Sequence, residues 1–408
     1  GWVRNTSAGV DIEVDGTQED LETFIDSLQA QAPPLARIDS FQIDWIPANN
    51  FSTFEIVHSE GKSGDFIPIS PDVSICADCL AELLDPNDRR YHYPFINCTN
   101  CGPRFTIIKD IPYDRPKTTM GQFEMCPACQ AEYDDPLDRR FHAQPVACPD
   151  CGPHVWLESR ANQSQEVVHQ DAAIQATRKS LAGGRIVAIK GLGGFHLACD
   201  AMNNQAVGEL RRRKLRVDKP FALMMPNLDV VLEHCFVTPA EQEQLLARQR
   251  PIVLLKKRPG STIVDQVAPN QSALGAMLPY TPLHYLLLEP GAGIPNCLAM
   301  TSGNLSEEPI ATGNEEARRR LGDLADDFLL HDRDIYIRCD DSVLRVFEHE
   351  PGHDAPQKSE LHSAHYPLRR ARGFAPNPVL LQWDMPPLLA AGPELKNTFC
   401  LTRGQYAF

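Results

Sequence analysis

Hydrophobic and polar residues follow three different rhythms along the chain. From Val10 to Gly16 they alternate (VDIEVDG), the period-two pattern of a half-buried strand. Thr17-Gln18-Glu19-Asp20 then opens a helix that runs to about Ala30, and Pro33-Pro34 stops it. Ile38 to Ile46 alternates again, and Phe54 to Val57 reads as a further short strand. Residues 1–62 therefore read as part of an α+β sandwich whose small sheet and single helix would be marginal alone. Residues 63–160 hold no sustained period and are rich in Pro and turn residues, and the polar run 161–170 reads as a linker. From Asp171 the pattern becomes alternating helix and strand. Helices are expected near Ala172–Leu181, Val207–Arg216, 239–249, Thr281–Leu288 and Asn314–Leu321. Strands are expected at Arg185–Lys190, Pro251–Lys257, Cys297–Asn304 and Asp327–Ile335. This is one mixed α/β domain, placed at 161–378; residues 375–387 are Pro-rich, and within the last segment, 379–408, an apolar strand-turn-strand too short to be a domain opens at Leu388.

Charge narrows the class. The 408 residues carry 39 Lys+Arg against 54 Asp+Glu, a net charge of −15, which excludes a uniformly basic nucleic-acid surface. A 42% hydrophobic content makes the chain globular. No run approaches about 18 uncharged apolar residues, so no membrane span is expected. The first residues lack the basic-then-apolar pattern of a secretory leader, and a cytoplasmic location is the expectation.

Eight of the 13 cysteines form four CxxC pairs: Cys76/Cys79, Cys98/Cys101, Cys126/Cys129 and Cys148/Cys151. They make two units of CxxC, 18 residues, CxxC, and a shift of 50 residues superimposes one on the other. Ala-Glu, Asp-Pro-x-Asp-Arg-Arg, an aromatic followed by His, and Cys-x-x-Cys-Gly-Pro recur in register, so one small unit is used twice. The pattern predicts two structural zinc sites, because two CxxC knuckles complete a closed tetrahedron with no open position for water. Units this small fold through the metal rather than through a core. Disulfides are the rival reading, and the five scattered cysteines and the missing leader argue against them. The spacing leaves open whether each ion takes consecutive or interleaved pairs; consecutive pairing is preferred, since it makes each repeat self-sufficient. His92 and His142 recur inside the repeat and are expected to pack or to hydrogen-bond around the site rather than to ligate.

In the α/β region the local charge reverses: six of the nine residues Arg211–Lys219 (RRRKLRVDK) are cationic. On a helix Arg212 and Arg216 would share one side, with Lys219 near the end. Such a run is as often a solvated face as an anion site. Three companions favour an anion. Lys190 opens a Gly-rich loop, Gly191–Gly194, whose backbone could approach a phosphate closely. Ser302-Gly303-Asn304-Leu305-Ser306 follows a strand, and Arg369-Arg370-Ala371-Arg372-Gly373 adds a basic loop. No GxxxxGK[ST] loop is present, and the glycines lack the dinucleotide-binding spacing.

At this point a resemblance becomes specific. KGLGGFHLACDA (Lys190–Ala201), KLRVDKPFALM (Lys214–Met224), MTSGNLSEEPI (Met300–Ile310), HDRDIYIRCDDSV (His331–Val343) and RRARGFAP (Arg369–Pro376) resemble the YrdC-like domain of the HypF carbamoyltransferase family. The duplicated cysteine block resembles the same family, GWVRNTSAG at the start is similar to the later part of an acylphosphatase domain, and AGPELKNTFCL is similar to the opening of the family's TsaD-like transfer domain. The resemblance implies a partial acylphosphatase-like ferredoxin fold, a tandem four-cysteine zinc block and a YrdC-like mixed α/β domain. It implies a chemistry too. Carbamoyl phosphate yields carbamate, which is joined to AMP from ATP, and the carbamoyl group passes to the C-terminal cysteine of HypE on the way to a hydrogenase cyanide ligand.

By resemblance, Lys190, Arg213, Lys214, Arg216 and Lys219 would hold carbamate and phosphates. Ser302, Asn304 and Ser306 would meet the nucleotide, and Arg372 would close over the site. Mg²⁺ is expected with ATP, with phosphates and water as its ligands. Asn5 matches the family's water-orienting catalytic Asn, but the partnering Arg loop would lie before residue 1 and the transfer residues beyond Phe408. The expectation is a chain truncated at both ends, with little acylphosphatase activity. A threonylcarbamoyl-AMP synthase acting in tRNA modification, or a zinc-dependent RNA- or protein-binding module, are the rival readings.

Overall fold

The computed structural model describes all residues except 7–8, 34, 37, 39–40, 58–68, 112, 161–166, 306–307, 348–363 and 393–397, and the side chains of 5 and 364. The chain divides into two units, Gly1–Ile69 and Ser70–Phe408.

In the first unit the strand Trp2–Asn5 pairs antiparallel with Val10–Glu13 and parallel with Glu55–Ile56. The helix Gln18–Ala30 begins where the sequence places it, because the Thr17 side chain accepts the Asp20 N–H at 3.3 Å. The strand expected over Ile38–Ile46 does not form among its described residues; Trp45 and Ile46 are 64% and 57% exposed. Alternation supplies a face, but a strand also needs a neighbouring backbone to bond to, and no described strand offers one here.

The second unit combines the cysteine block with the α/β sheet. Short helices, Ala77–Leu84 and Pro127–Asp134, follow the first cysteine of each repeat, which stands at the N-cap. His92 and His142 occupy equivalent left-handed turns at φ 54° and 51°, so the duplication extends to the backbone. Among the described residues the sheet has 12 strands. Its central order is Ile252–Lys257, Ala273–Met277, Ala222–Met224, Leu298–Ser302, Phe195–Asp200, Val187–Lys190, Asp327–His331. Val155–Ser159, directly after the last cysteine knuckle, adds itself antiparallel to Asp327–His331 and ties the block to the sheet.

Both faces of this sheet are covered, so its central strands read as continuous apolar runs. On one face Phe195, Leu197 and Cys199 pack with Val207 and Leu210 of the helix Asn204–Arg213. On the other, one apolar cluster runs from Leu83, Tyr93, Phe95 and Ile107 of the cysteine block into Ile189, Met300 and Leu329 of the sheet. The cysteine block is thus packed onto the sheet, not tethered to it. At the C-terminal end Phe399–Ala407 pairs with Val379–Met385 and Leu389–Ala391, close to the strand-turn-strand expected there.

The basic helix is shorter than its sequence suggests. It ends at Arg213, Lys214 caps it, and Leu215 turns left-handed at φ 51°. The buried Arg211 guanidinium causes this: it donates to the carbonyls of Arg216 and Val217, both at 3.0 Å, and of Val267 at 3.2 Å, while standing over the Phe221 ring. Arg212 and Arg216 therefore do not share a helix face. Arg212 pairs with Glu209 on the surface, and Arg216 turns inward.

Candidate functional site

The cysteines gather as the consecutive pairing requires: Cys76, Cys79, Cys98 and Cys101 in one cluster, Cys126, Cys129, Cys148 and Cys151 in the other, each with all sulfurs within 4.8 Å. Neighbouring sulfurs lie 3.7 Å apart for Cys76/Cys98, 3.9 Å for Cys98/Cys101, and 3.7 Å for both Cys126/Cys148 and Cys148/Cys151. Disulfide sulfurs would sit at about 2.05 Å; four thiolates about 2.3 Å from one tetrahedral ion would sit about 3.8 Å apart. The donor set fits zinc, and all 13 cysteines are free of disulfides. Neither His92 nor His142 is among the clustered donors; each packs its ring on the preceding aromatic residue.

The Asp-Arg-Arg segments cross between the repeats. Arg89 of the first donates to Cys129 Sγ at 3.3 Å, and Arg139 of the second donates to Cys79 Sγ at 3.0 Å. Arg90 is buried, donates to the Ala147 carbonyl at 2.9 Å and pairs with Glu132; Arg140 mirrors it on Glu82. Positive charge beside each sulfur cluster offsets the excess negative charge of four thiolates on one dication.

The basic run meets the Ser-Gly-Asn loop where the strand Leu298–Ser302 ends. Lys214 is 2% exposed, and its ammonium donates to the Ser302 carbonyl at 2.7 Å, the Asn304 carbonyl at 2.5 Å and Asn304 Oδ1 at 2.9 Å. Ser302 Oγ donates to the same Oδ1 at 2.8 Å. Arg216 donates to Thr301 Oγ1 at 2.7 Å, and burial, followed by the charges of Arg211 and Arg369, brings its pKa down to about 10. Electrostatically coupled cations are therefore concentrated at one strand end, an arrangement an anion would relieve. Lys219 is exposed beside them, and its carbonyl accepts from Arg216 at 2.8 Å.

The other expected residues fall differently. Arg213 is held by Glu209 at 2.7 Å and Asp326 at 2.8 Å. Arg372 is buried, with its guanidinium on Asp341 at 2.7 Å and on the carbonyls of Gln249 and Arg250 at 2.8 and 2.9 Å. Although burial opposes ionisation, Arg372 and then His196 hold the Asp341 carboxyl well below the ordinary carboxylate range. Asn5 pairs through its backbone with Val10, its side chain lies outside the described residues, and so does Ser306.

Gly191–Gly194 is not an open cradle. All four residues are buried, and a Cβ on Gly193 would lie 2.2 Å from the Cys339 carbonyl oxygen, one on Gly194 2.7 Å from Ile310. The close approach these glycines permit is to protein. Lys190 at the head of the loop is buried too, donates to the His331 carbonyl at 2.9 Å, and burial lowers its pKa to about 8. Two groups beside these sites, Thr301 and the buried Arg333, are not distinguished by their own sequence context. Both lie inside stretches quoted for the resemblance, MTSGN and HDRDI, and only the fold reveals which member of each turns inward.

Comparison with known proteins gives a consistent result. Family models match in chain order: Acylphosphatase over residues 1–56, HypF finger over 75–108 and 125–158, and Telomere recombination, the Sua5/YciO/YrdC model, over 179–353. Carbamoyltransferase HypF2 of Cupriavidus necator is 48% identical across 100% of this chain and 51% of its own length. Carbamoyltransferase HypF of Synechocystis sp. is 44% identical, again over 100% of this chain and 51% of its own. Among solved structures, full-length HypF in a phosphate- and nucleotide-bound form matches with a TM-score of 0.88 at 49% identity, and T. kodakarensis HypF with 0.85 at 42%. Each match covers 100% of this chain, and 51% and 50% respectively of those chains. The chain thus spans about half the length of the relatives it matches.

Proposed function

Because this is a HypF-family chain, corresponding along its whole length to about half of its curated relatives, we propose that its α/β domain forms carbamoyl-adenylate from carbamate and ATP. The observation that carries this reading is the Lys214 ammonium bound to the Ser302 and Asn304 carbonyls, which brings the basic run and the Ser-Gly-Asn loop to one point. A carbamate oxygen attacks the α-phosphorus of ATP, the bond to the bridging oxygen breaks, and pyrophosphate leaves with that electron pair. Carbamate is already an anionic nucleophile, so no strong base is needed; orientation and neutralisation of phosphate charge suffice. Lys190, Lys214, Arg216 and Lys219 supply positive charge, and Ser302, Asn304 and Ser306 meet the nucleotide, which enters as its Mg²⁺ complex. Arg213 and Arg372 act from behind, holding the turn and Asp341.

In the same reading Asn5 orients the water that releases carbamate from carbamoyl phosphate. HypE accepts the carbamoyl group in the cytoplasm, and two zinc ions occupy the cysteine clusters as structural metals, Cys76/Cys79/Cys98/Cys101 and Cys126/Cys129/Cys148/Cys151. The related structure described as phosphate- and nucleotide-bound supports nucleotide binding by this family.

The test is to incubate the chain with ATP, Mg²⁺ and either carbamoyl phosphate or ammonium carbamate, and to follow pyrophosphate and the AMP adduct by mass spectrometry. Adduct formation is expected, lost in Lys214→Ala/Arg216→Ala and retained in Arg212→Ala. An adduct only with threonine and bicarbonate would overturn the assignment in favour of threonylcarbamoyl-AMP synthesis.

A further inference from the structure

Lys190 and Arg333 are buried cations, 1% and 6% exposed, and neither has an ion-pair partner among the described residues. The Lys190 ammonium has three donors, and one carbonyl, that of His331, takes one of them at 2.9 Å. The Arg333 guanidinium lies 4.9 Å above the face of Phe95, whose ring meets the His331 ring edge-on at 5.2 Å. His331, Phe95 and the two cations are therefore contiguous, at the seam where the cysteine block packs on the sheet.

Asp332 and Asp334 act on Lys190 through their charge, but among the described residues no carboxylate forms an ion pair with either cation. Asp332 accepts the His154 N–H at 2.7 Å, and Asp334 is exposed and makes no ion pair with either cation. Asp72 uses Oδ1 to accept the N–H of Arg104 at 2.6 Å and the hydroxyl of Thr106 at 3.0 Å. Its Oδ2 is buried without a partner, and burial raises its pKa, which disfavours its charge. Two neighbouring buried cations with no direct ion pair among the described residues are incompletely compensated, and a positively charged pair with Lys190 donors left over is what a small oxyanion requires.

We propose that Lys190 and Arg333, with Phe95 of the cysteine block as the wall behind them, form a binding site for a small oxyanion, either a carbamate-like carboxylate or a phosphoryl group. The inference rests on the proposed function, which supplies both anions, and it adds a residue and a wall from the cysteine block to the site. It also gives the metal clusters a reason to sit on this sheet: Phe95 lies three residues before Cys98, so the first cluster fixes the strip of chain that carries the wall.

The experiment uses the whole chain without nucleotide, titrated with inorganic phosphate in one arm and bicarbonate in the other, and read by calorimetry and by melting temperature. At least one anion is expected to bind and to raise the melting temperature. Arg333→Met and Lys190→Met are expected to weaken binding roughly tenfold or more, with Arg333→Lys intermediate. Arg319→Met, which removes an exposed arginine, should bind as the parent does. Protection by phosphate alone identifies a phosphoryl subsite, and protection by bicarbonate alone a carbamate subsite. Failure of both anions to bind the parent chain overturns the proposal, even where a variant does not fold, and so does unchanged binding by both Met variants. If anion binding fails while the AMP adduct still forms, only this site falls; if the anion binds and no adduct forms, the proposed function falls instead.

Discussion

Arg139 of the second cysteine repeat donates to Cys79 Sγ of the first at 3.0 Å, and the duplicated sequence returns the contact through Arg89 to Cys129 at 3.3 Å. Each sulfur cluster is thus completed electrostatically by the other repeat. The two units are one folding and metal-binding object, although each holds its own four ligands. Removing a donor to a ligating sulfur typically costs about 10- to 100-fold in metal affinity. Arg139→Ala should therefore weaken the cluster of Cys76, Cys79, Cys98 and Cys101 by about that factor, and Arg89→Ala the other. Competition with a chelator, with zinc per chain counted at each step, measures this. The parent chain should hold about two ions; loss from the same-repeat cluster in either variant would show that the crossing contact does not matter.

Gly193 should resist substitution for a reason unrelated to a bound phosphate. An added Cβ would stand 2.2 Å from the Cys339 carbonyl oxygen, and Cys339 N–H donates to the Gly193 carbonyl at 3.0 Å, so neither backbone can retreat without losing that bond. Overpacking of this kind costs about 1–3 kcal/mol. Gly193→Ala is expected to lower stability by that amount in denaturant unfolding at unchanged zinc content. An unaltered midpoint would mean that the loop has room.

What the sequence reveals and what it conceals divide by range. The helix Gln18–Ala30 begins where Thr17 caps it, because a cap is decided within a few residues, whereas which CxxC pairs come together is left open by their spacing and is settled by the fold as the consecutive choice. The end of the basic helix is not local. Arg211 terminates it through contacts that include the Val267 carbonyl, 56 positions away, and so Arg216 points toward Thr301 instead of continuing a helical stripe. Gly191–Gly194 misleads in the same way: glycine marks a close approach, but its identity with the Cys339 backbone belongs to tertiary structure. Arg333 was hidden among the alternating charges of HDRDI, where burial alone separates it from its neighbours. The run Ile38–Ile46 has the rhythm of a strand and, in its described residues, no ladder to join.

Lys190 makes the buried cation site sensitive to pH in a defined direction. Burial lowers its pKa to about 8 from 10.5; Asp334 opposes the shift, and Arg333 adds to it, with Asp332 the other charged neighbour. His331, whose carbonyl it engages, is buried and held well below its ordinary value, so it stays neutral throughout. Between about 8 and 10.5 the unfolded chain keeps a proton on this lysine that the folded chain has released, so the lysine's contribution to stability rises with pH across that window. Anion binding runs the opposite way, because the ammonium attracts the anion and the neutral amine does not. Phosphate affinity measured by calorimetry should be roughly tenfold weaker at about pH 9.5 than at about pH 7.5, where phosphate is mostly dianionic in both cases. Lys190→Met should flatten this dependence and bind weakly at either pH. A parent affinity that does not change across the window would place the anion away from Lys190.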